Sequence, residues 1–313
     1  MVCVCPNASV DKIAAVEVLH PGEIHRPQIL SVVAGGKALN AGRAAAALGL
    51  RVVAVPVLAG HAGRWLESAL AADGIDARPV WVQGETRECL SVLDRTAGRL
   101  TEFYEPGPAM TAADWDEVEG VIAEAVDEDP AGTLVLVSGS LPAGAPARAH
   151  ARAARVAREH GGRAVVDVGG PALLDALAEE PWMVKVNALE ASQATGLPLG
   201  GEEQALIAAR ALRSAGAAMA LVSRGVDGAV LVGLAGESWR IGPPPELGAF
   251  AVGSGDSLIG GFAAALAAGH ALPEAARHGA AAAAANALRP GQGRFDRDDV
   301  ARLLPGTTLE ALP

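Results

Sequence analysis

The sequence predicts an α/β fold, a mostly parallel sheet covered by helices on both faces, with a small separate β-sheet over it as a lid. Three observations lead there. From about residue 131 onward, short apolar runs alternate with helical stretches, the pattern of crossover units that set parallel strands side by side. The first third instead holds several short segments with β character and only two helical stretches, so part of it is left for a second sheet. With 313 residues, half of them apolar and 19% charged, the chain can bury a large core and is not a candidate for disorder.

Segments 2–5, 13–18, 29–33, 52–58, 80–82 and 89–93 read as strands, parted by turn residues such as Pro21-Gly22 and Gly84. Segment 38–48 reads as a helix because alanines recur at close spacing and Gly49 follows its end. Segment 65–72 is a second helix, stopped near Gly74. Further on, 134–137, 164–168, 183–186 and 220–223 are buried-type strands, and 146–160 and 202–215 are helices between them. Segments 228–233 and 237–241 form a hairpin at the sheet edge. Helices from Asp256, Pro273 and Asp296 finish the fold. Residues 11–33 and 85–105 are strand-rich and polar enough to be the lid of a single domain spanning 1–313.

The formal net charge of −11 argues against nucleic acid or an anionic membrane as the main partner, while leaving room for a local basic pocket. Cys3, Cys5 and Cys89 form neither a disulfide framework nor a zinc spacing, and read as buried free thiols. No basic start with an apolar run marks a signal peptide. The Ala- and Gly-rich stretch 257–288 is broken by Pro273, Glu274 and Arg277, so it reads as two packed helices rather than a membrane span. A cytoplasmic protein is expected. Of only three lysines (Lys12, Lys37 and Lys185), two fall inside the motifs below.

The sharpest motif is Gly253-Ser254-Gly255-Asp256-Ser257, followed by an apolar helix. Glycines let backbone approach a ligand and aim N–H groups at it, and the helix start adds its positive dipole end. Asp256 at the mouth of such an anion site suits a general base taking a proton from an attacking hydroxyl. The alternative is a capping Asp in an ordinary turn. The place of a third Rossmann glycine is taken by Leu258, and no GxxxxGK[ST] occurs, so phosphate is handled by another geometry.

Gly35-Gly36-Lys37-Ala38-Leu39-Asn40 precedes the first helix. Asn40 offers a donor and an acceptor for sugar hydroxyls, and Lys37 a charge for phosphate. A plain strand-to-helix turn is the alternative. In Lys185-Val186-Asn187-Ala188-Leu189-Glu190, Asn187 and Glu190 are three apart and could hold Mg²⁺ directly or through water, or simply begin a helix with an acidic first turn. Ser223-Arg224-Gly225-Val226-Asp227-Gly228 could wrap a nucleotide, though a glycine-bearing hairpin needs no ligand.

In this order and spacing, the four segments resemble the PfkB carbohydrate kinases over essentially the full length. The resemblance implies a ribokinase-like three-layer α/β/α core with a small β-sheet lid. Asn7-Ala8-Ser9-Val10-Asp11, Thr86-Arg87, Ser138-Gly139-Ser140-Leu141-Pro142 and Asp167-Val168-Gly169-Gly170 are similar to the 1-phosphofructokinase and tagatose-6-phosphate kinase branch. It implies that Asp11, Gly36 and Asn40 hold sugar hydroxyls, with Ser138 in the same substrate set. Arg26, Lys37 and Arg87 then neutralise the substrate phosphate, where guanidinium forks fit well; for the two arginines, exposed surface charge is the alternative. Asp256 is the base, and the Ser254, Gly255 and Asp256 amides, with Gly253 in the same turn, stabilise the transferring phosphoryl group. Lys185, Asn187, Ser223, Gly225 and Gly228 line the side of ATP, and Asn187 and Glu190 place Mg²⁺ through water. The implied acceptor is a ketose phosphate, fructose 1-phosphate first, and the implied assembly a homodimer paired through the lids.

Departures from the family pattern are Ala8 for Pro, Ala38 for Gly, Val186 for Pro, Arg224 for Leu and Ser254 for Ala. None removes a reacting group, and together they bear on the sugar rather than on the reaction. The competing readings are a kinase of the same fold for tagatose 6-phosphate, fructose 6-phosphate, or an unphosphorylated sugar or nucleoside, and a non-catalytic sugar-phosphate sensor. Arg26 and Arg87 discriminate, since without either in the pocket a substrate phosphate has no partner.

Overall fold

The computed structural model describes residues 1–198, 200–246 and 248–313. The chain opens with β1 (Val2–Cys5), β2 (Ser9–Val16) and β3 (Gln28–Gly35), then α1 (Lys37–Ala47), β4 (Val53–Leu58) and α2 (Gly60–Ala72). Two short strands, β5 (Asp76–Ala77) and β6 (Val80–Trp81), precede β7 (Arg87–Asp94) and β8 (Arg99–Tyr104). After α3 (Ala112–Asp127) strand and helix alternate: β9 (Leu134–Ser138), α4 (Ala149–Glu159), β10 (Arg163–Asp167), α5 (Pro171–Leu177), β11 (Met183–Asn187). Next come α6 (Ala188–Thr195), α7 (Glu202–Ser214), β12 (Met219–Ser223), β13 (Ala229–Val232) and β14 (Ser238–Gly242). The chain closes with α8 (Ser254–Ala267), α9 (Leu272–Ala287), α10 (Arg297–Leu303) and β15 (Thr308–Leu312).

The main sheet runs β15-β14-β13-β12-β11-β10-β9-β1-β4-β5, with β6 also on β4. It is parallel from β12 to β5 and antiparallel from β12 outward to β15. The central strands are buried on both faces, which is why they read as unbroken apolar runs. Alternate residues feed two cores. Val2, Val4, Val135 and Val137 meet Trp115 and Ile122 of α3, whereas Cys3, Cys5, Leu134 and Leu136 share the other core with Leu39 of α1 and Phe262 of α8. The three cysteines are free and buried. The result is the expected helix–sheet–helix sandwich.

Residues 9–35 and 87–104 supply a second sheet, order β3-β2-β7-β8, in which β2 and β7 run parallel. The stretch 257–288 folds as two helices in contact, and no helix among the described residues is long and apolar enough to cross a membrane. Small residues set that contact. A Cβ on Gly261 would lie 2.6 Å from the Ala282 Cβ, one on Gly279 2.5 Å from the Leu258 carbonyl oxygen, and one on Gly260 2.4 Å from that of Ala41. Helices α1, α8 and α9 therefore approach at the distance only glycine permits.

Two expectations are corrected, and one helix was not expected. The expected helix 146–160 begins only at Ala149, because Arg148 adopts φ 61 in the left-handed region. The α10 helix does not finish the fold: β15 follows and pairs with β14, so the β13–β14 hairpin is not the sheet edge. Its residues are mostly exposed, as suits an edge strand and as hides it from an apolar pattern. Helix α3, closed at its start by a Thr111–Asp114 capping box, has no counterpart in the sequence reading.

Candidate active site

The catalytic candidates gather where the parallel strands end. Asn7 follows β1, Ser138 ends β9, Asp167 ends β10 and Asn187 ends β11. The starts of α1 and α8 point to the same place, and the small sheet stands over it. A cavity of about 760 Å³ opens there, walled by Asp11, Gly36, Lys37, Asn40, Arg87, Ser138, Gly253 and Asp256 from the sequence-derived set.

Helix α8 starts at Ser254, two residues earlier than expected, with Gly253 at φ 83 before it. The Ser254 N–H is spent on the Ala251 carbonyl at 3.1 Å. The expected three-amide anion hole is thereby corrected: the N–H groups of Gly255 and Asp256, in the unpaired first helical turn, remain for an anion. Gly255 stands in close approach to Lys185: a Cβ there would lie 2.9 Å from its Nζ. That buried ammonium, 3.2 Å from Asp167 Oδ1, thus backs the anion turn directly. Burial works to lower the Lys185 pKa, but the carboxylates of Asp167 and then Asp256 outweigh it and raise it, so the charge is held.

Asp256 is 7% exposed, and its Oδ2 accepts a hydrogen bond from Asn40 Nδ2 at 2.9 Å. Its pKa is pushed up to about 7, by burial first and by the Asp167 charge second, against the pull of Asn40, Lys185 and Lys37. A base titrating near neutrality is well matched to removing a hydroxyl proton at physiological pH.

The opposite wall carries Asp11, Gly36 and Arg87. Asp11 has room because Gly35 lacks a side chain: a Cβ there would lie 2.1 Å from the Asp11 Cγ. Ser9 Oγ donates to Asp11 Oδ1 at 2.6 Å, and burial raises the Asp11 pKa. Gly36, at φ 115, leaves space for the Cys5 sulfur, which a Cβ would approach to 2.5 Å. Arg87 donates from Nε and Nη2 to the Asn7 carbonyl, at 3.2 and 3.0 Å, which fixes the guanidinium at the cavity wall. Ser138 Oγ donates to Asp167. Arg26 is not brought in. It sits exposed on the loop between β2 and β3 and is no part of the wall.

Asn187 and Glu190 form a reciprocal capping box at the start of α6, each side chain accepting the other's backbone N–H at 2.9 Å. The alternative reading of this segment, an acidic helix start, is therefore realised. It does not exhaust the pair, because Glu190 Oε1 lies 4.0 Å from the Lys37 Nζ, on the cavity side. No group of three or more His, Cys, Asp or Glu side chains among the described residues could cage a metal. Of the two Glu190 carboxylate oxygens, one is spent on the capping box and the other faces Lys37. Ser223 pairs with Asn187 across β11–β12, with Gly225 (φ 61) and Gly228 (φ 86) just beyond it. Gly228 also has a packing reason, since a Cβ would lie 2.1 Å from the Ile241 carbonyl oxygen. The Arg224 charge is met by Glu202 at 3.7 Å.

Residues 1–298 match the pfkB family carbohydrate kinases. The chain belongs to this family. This PfkB chain is 34% identical over 271 residues to the 1-phosphofructokinase of Rhodobacter capsulatus, covering 87% of this chain and 85% of the relative. It is 32% identical over 272 residues to the ATP-dependent 6-phosphofructokinase isozyme 2 of Escherichia coli, covering 86% of each. The crystal structure of phosphofructokinase-2 from Escherichia coli in complex with fructose-6-phosphate superimposes with a TM-score of 0.88 at 28% identity, over 97% of this chain and 98% of that one.

The sequence reading gave no role to several residues that the PfkB fold places in or behind the site. Asp167 anchors Lys185 and raises the Asp256 pKa. Asn286, fully buried, accepts from Ser257 Oγ and the Gly293 N–H, and donates to the Val252 carbonyl and Ser254 Oγ, tying down the loop before α8. Arg43 donates to the Gln292 carbonyl at 2.9 Å and pairs with Asp73. One signal was available for Asn286: a lone amide inside an alanine run.

Proposed function

We propose that this chain transfers the γ-phosphoryl group of ATP to a hydroxyl of a ketose phosphate, and that fructose 1-phosphate is the acceptor, giving fructose 1,6-bisphosphate. The relatives named 1-phosphofructokinase support the acceptor. The observation that carries the reading is Asp256, a buried carboxyl titrating near neutrality beside two helix-start amides and a buried lysine. Arg87 in the same cavity wall gives the second phosphate its partner and favours a phosphosugar over an unphosphorylated acceptor.

Asp256 takes the proton of the acceptor hydroxyl as that oxygen bonds to the γ-phosphorus and the bond to the ADP oxygen breaks. The Gly255 and Asp256 N–H groups and Lys185 meet the charge on the transferring group. Asp11 and Asn40 orient the sugar. Mg²⁺, when bound, neutralises phosphate oxygens, and Asn187 and Glu190 would hold its waters. Ser223, Gly225 and Gly228 flank the nucleotide. The small sheet closes over the sugar and excludes water, which brings Arg26 toward the sugar phosphate. Exposed Ile29, Phe103 and Tyr104 on that sheet suit pairing with a second lid in a homodimer.

ADP release with Mg-ATP across fructose 1-phosphate, fructose 6-phosphate, tagatose 6-phosphate, fructose, ribose and adenosine tests the assignment. Turnover is expected with the phosphosugars and highest with fructose 1-phosphate. Turnover confined to unphosphorylated acceptors would overturn the role of Arg87, and binding without turnover would leave a sugar-phosphate sensor.

A further inference from the structure

A short segment at the end of β9, Ser138-Gly139-Ser140, stands between the two walls of the active-site cavity. Ser138 Oγ donates to Asp167, the partner of Lys185. Ser140 Oγ accepts from Asn7 Nδ2 at 2.9 Å, and the Asn7 carbonyl accepts in turn from Arg87. Gly139, between the two serines, is at φ 96, and a Cβ there would meet nothing within 4 Å. Packing therefore does not hold this turn. What holds it is the Gly139 carbonyl, which accepts from His150 Nε2 at 3.0 Å.

His150 is the second residue of α4, just past the left-handed Arg148, and is 4% exposed in the cavity wall. A carbonyl only accepts, so the imidazole proton is on Nε2 and Nδ1 keeps its lone pair. Nδ1 is buried and has no hydrogen-bond partner among the described residues. Burial also lowers the His150 pKa, which favours the same neutral ring. For packing alone, a phenyl ring would fill this place without stranding a polar atom. The bond to Gly139 is what the imidazole adds.

We propose that His150 is a positioning residue for the acceptor's own phosphate, a role that rests on the phosphosugar reading above. Its Nε2–H pins the Gly139 carbonyl and so fixes where Ser140 presents its oxygen to Asn7. Asn7 then holds its carbonyl against Arg87, which spends two of its five N–H groups there and keeps three for an incoming phosphate. The direction of the effect follows from the sheet. Ser138 lies inside β9 and pairs with Asp167 in the ladder to β10, so losing His150 loosens the segment only beyond it, on the Arg87 side. Acceptor affinity suffers and phosphoryl transfer does not.

The test reads fructose 1-phosphate as KM in ADP release and as Kd by calorimetry, with urea unfolding beside them. His150→Phe should raise both KM and Kd about fivefold, the worth of one lost hydrogen bond, with kcat, KM for ATP and the urea midpoint unchanged. His150→Gln, whose amide N–H can stand where Nε2 stood, should restore most of the affinity. On a Ser140→Ala background the chain of bonds is already cut, so His150→Phe should add less than about twofold. An unchanged KM and Kd in His150→Phe, a fall in kcat instead, a Gln variant as weak as the Phe variant, or full additivity with Ser140→Ala would each overturn the role of His150 and leave the phosphosugar reading standing. Wild-type turnover confined to unphosphorylated acceptors would overturn that reading and this role together.

Discussion

The two walls of the active site are built to different standards of rigidity. On the Asp256 side, Asp256, Lys185, Asp167 and Asn286 are all at most 7% exposed; Lys185 pairs with Asp167, Asn286 ties down the loop before α8, and Asp256 accepts from Asn40. On the facing wall, Lys37 is exposed, Arg87 is held through the Asn7 carbonyl, and Arg26 stands outside the cavity. The first wall is a buried frame, while Arg87 and Arg26 belong to the small sheet and its loop and Lys37 to the exposed start of α1; on the proposed function, the transfer chemistry belongs to the first and the choice of acceptor to the second. The contrast teaches that acceptor preference can change on this fold without disturbing the transfer step.

The most severe way to break the contrast is at Asp256. Asp256→Asn should lower kcat by ~10²–10⁴-fold with little change in either KM, read by steady-state ADP release. In the wild type, kcat should rise with pH through an inflection near 7 and then level off, following the ionised base. Stability moves the other way. A folded-state pKa above the unfolded value favours the fold at low pH, and that contribution is lost as pH rises from about 4 through about 7. Denaturant titration should therefore show Asp256→Asn gaining on the wild type as pH is raised across that window.

Removing Lys185 attacks the same frame from behind. Lys185→Met leaves Asp167 buried without its cation and should cost about 3–5 kcal/mol in urea unfolding, with activity falling as well. Asn286→Ala strands the Gly293 N–H and the Ser257 hydroxyl, for an expected loss of about 2–3 kcal/mol and a lower kcat at unchanged phosphosugar KM. Arg87→Ala sharpens the comparison from the other wall. It should raise KM for fructose 1-phosphate about tenfold, leave KM for ATP unchanged, and barely move stability. A reversed pattern, with Arg87 affecting kcat and Asn286 affecting sugar KM, would show that the two walls do not divide the work this way.

What could be seen in the sequence follows the range of the interactions involved. Strands β9 to β12 were legible because burial on both faces leaves a continuous apolar run, and the anion turn because two glycines beside an acid form a local signature. Helix α3 was missed because its buried residues, Trp115, Val118 and Ile122, are interleaved with acidic residues that mask the period. The role of Asp167 comes from Lys185, 18 positions away, and that of Asn286 mostly from partners 29 to 36 positions away with only Gly293 near, at 7, so no local pattern contains them. Ser254 was given an amide role that Ala251 takes in the folded turn, a competition visible only once the turn closes. For Arg26, sequence gives a charge near the lid and the fold decides which way it faces.

The glycine seam between α1, α8 and α9 places an evolutionary limit on this chain. Gly260 and Gly261 lie one helical turn past Asp256, on the faces that touch Ala41 and Ala282. A single added methyl there has nowhere to go, so it must translate the helix whose first turn carries Asp256. Ordinary core positions absorb drift by repacking, but at this seam a change in bulk is converted into a misplaced base. The interior is therefore most nearly frozen along this line of glycine hydrogens, none of which faces the cavity.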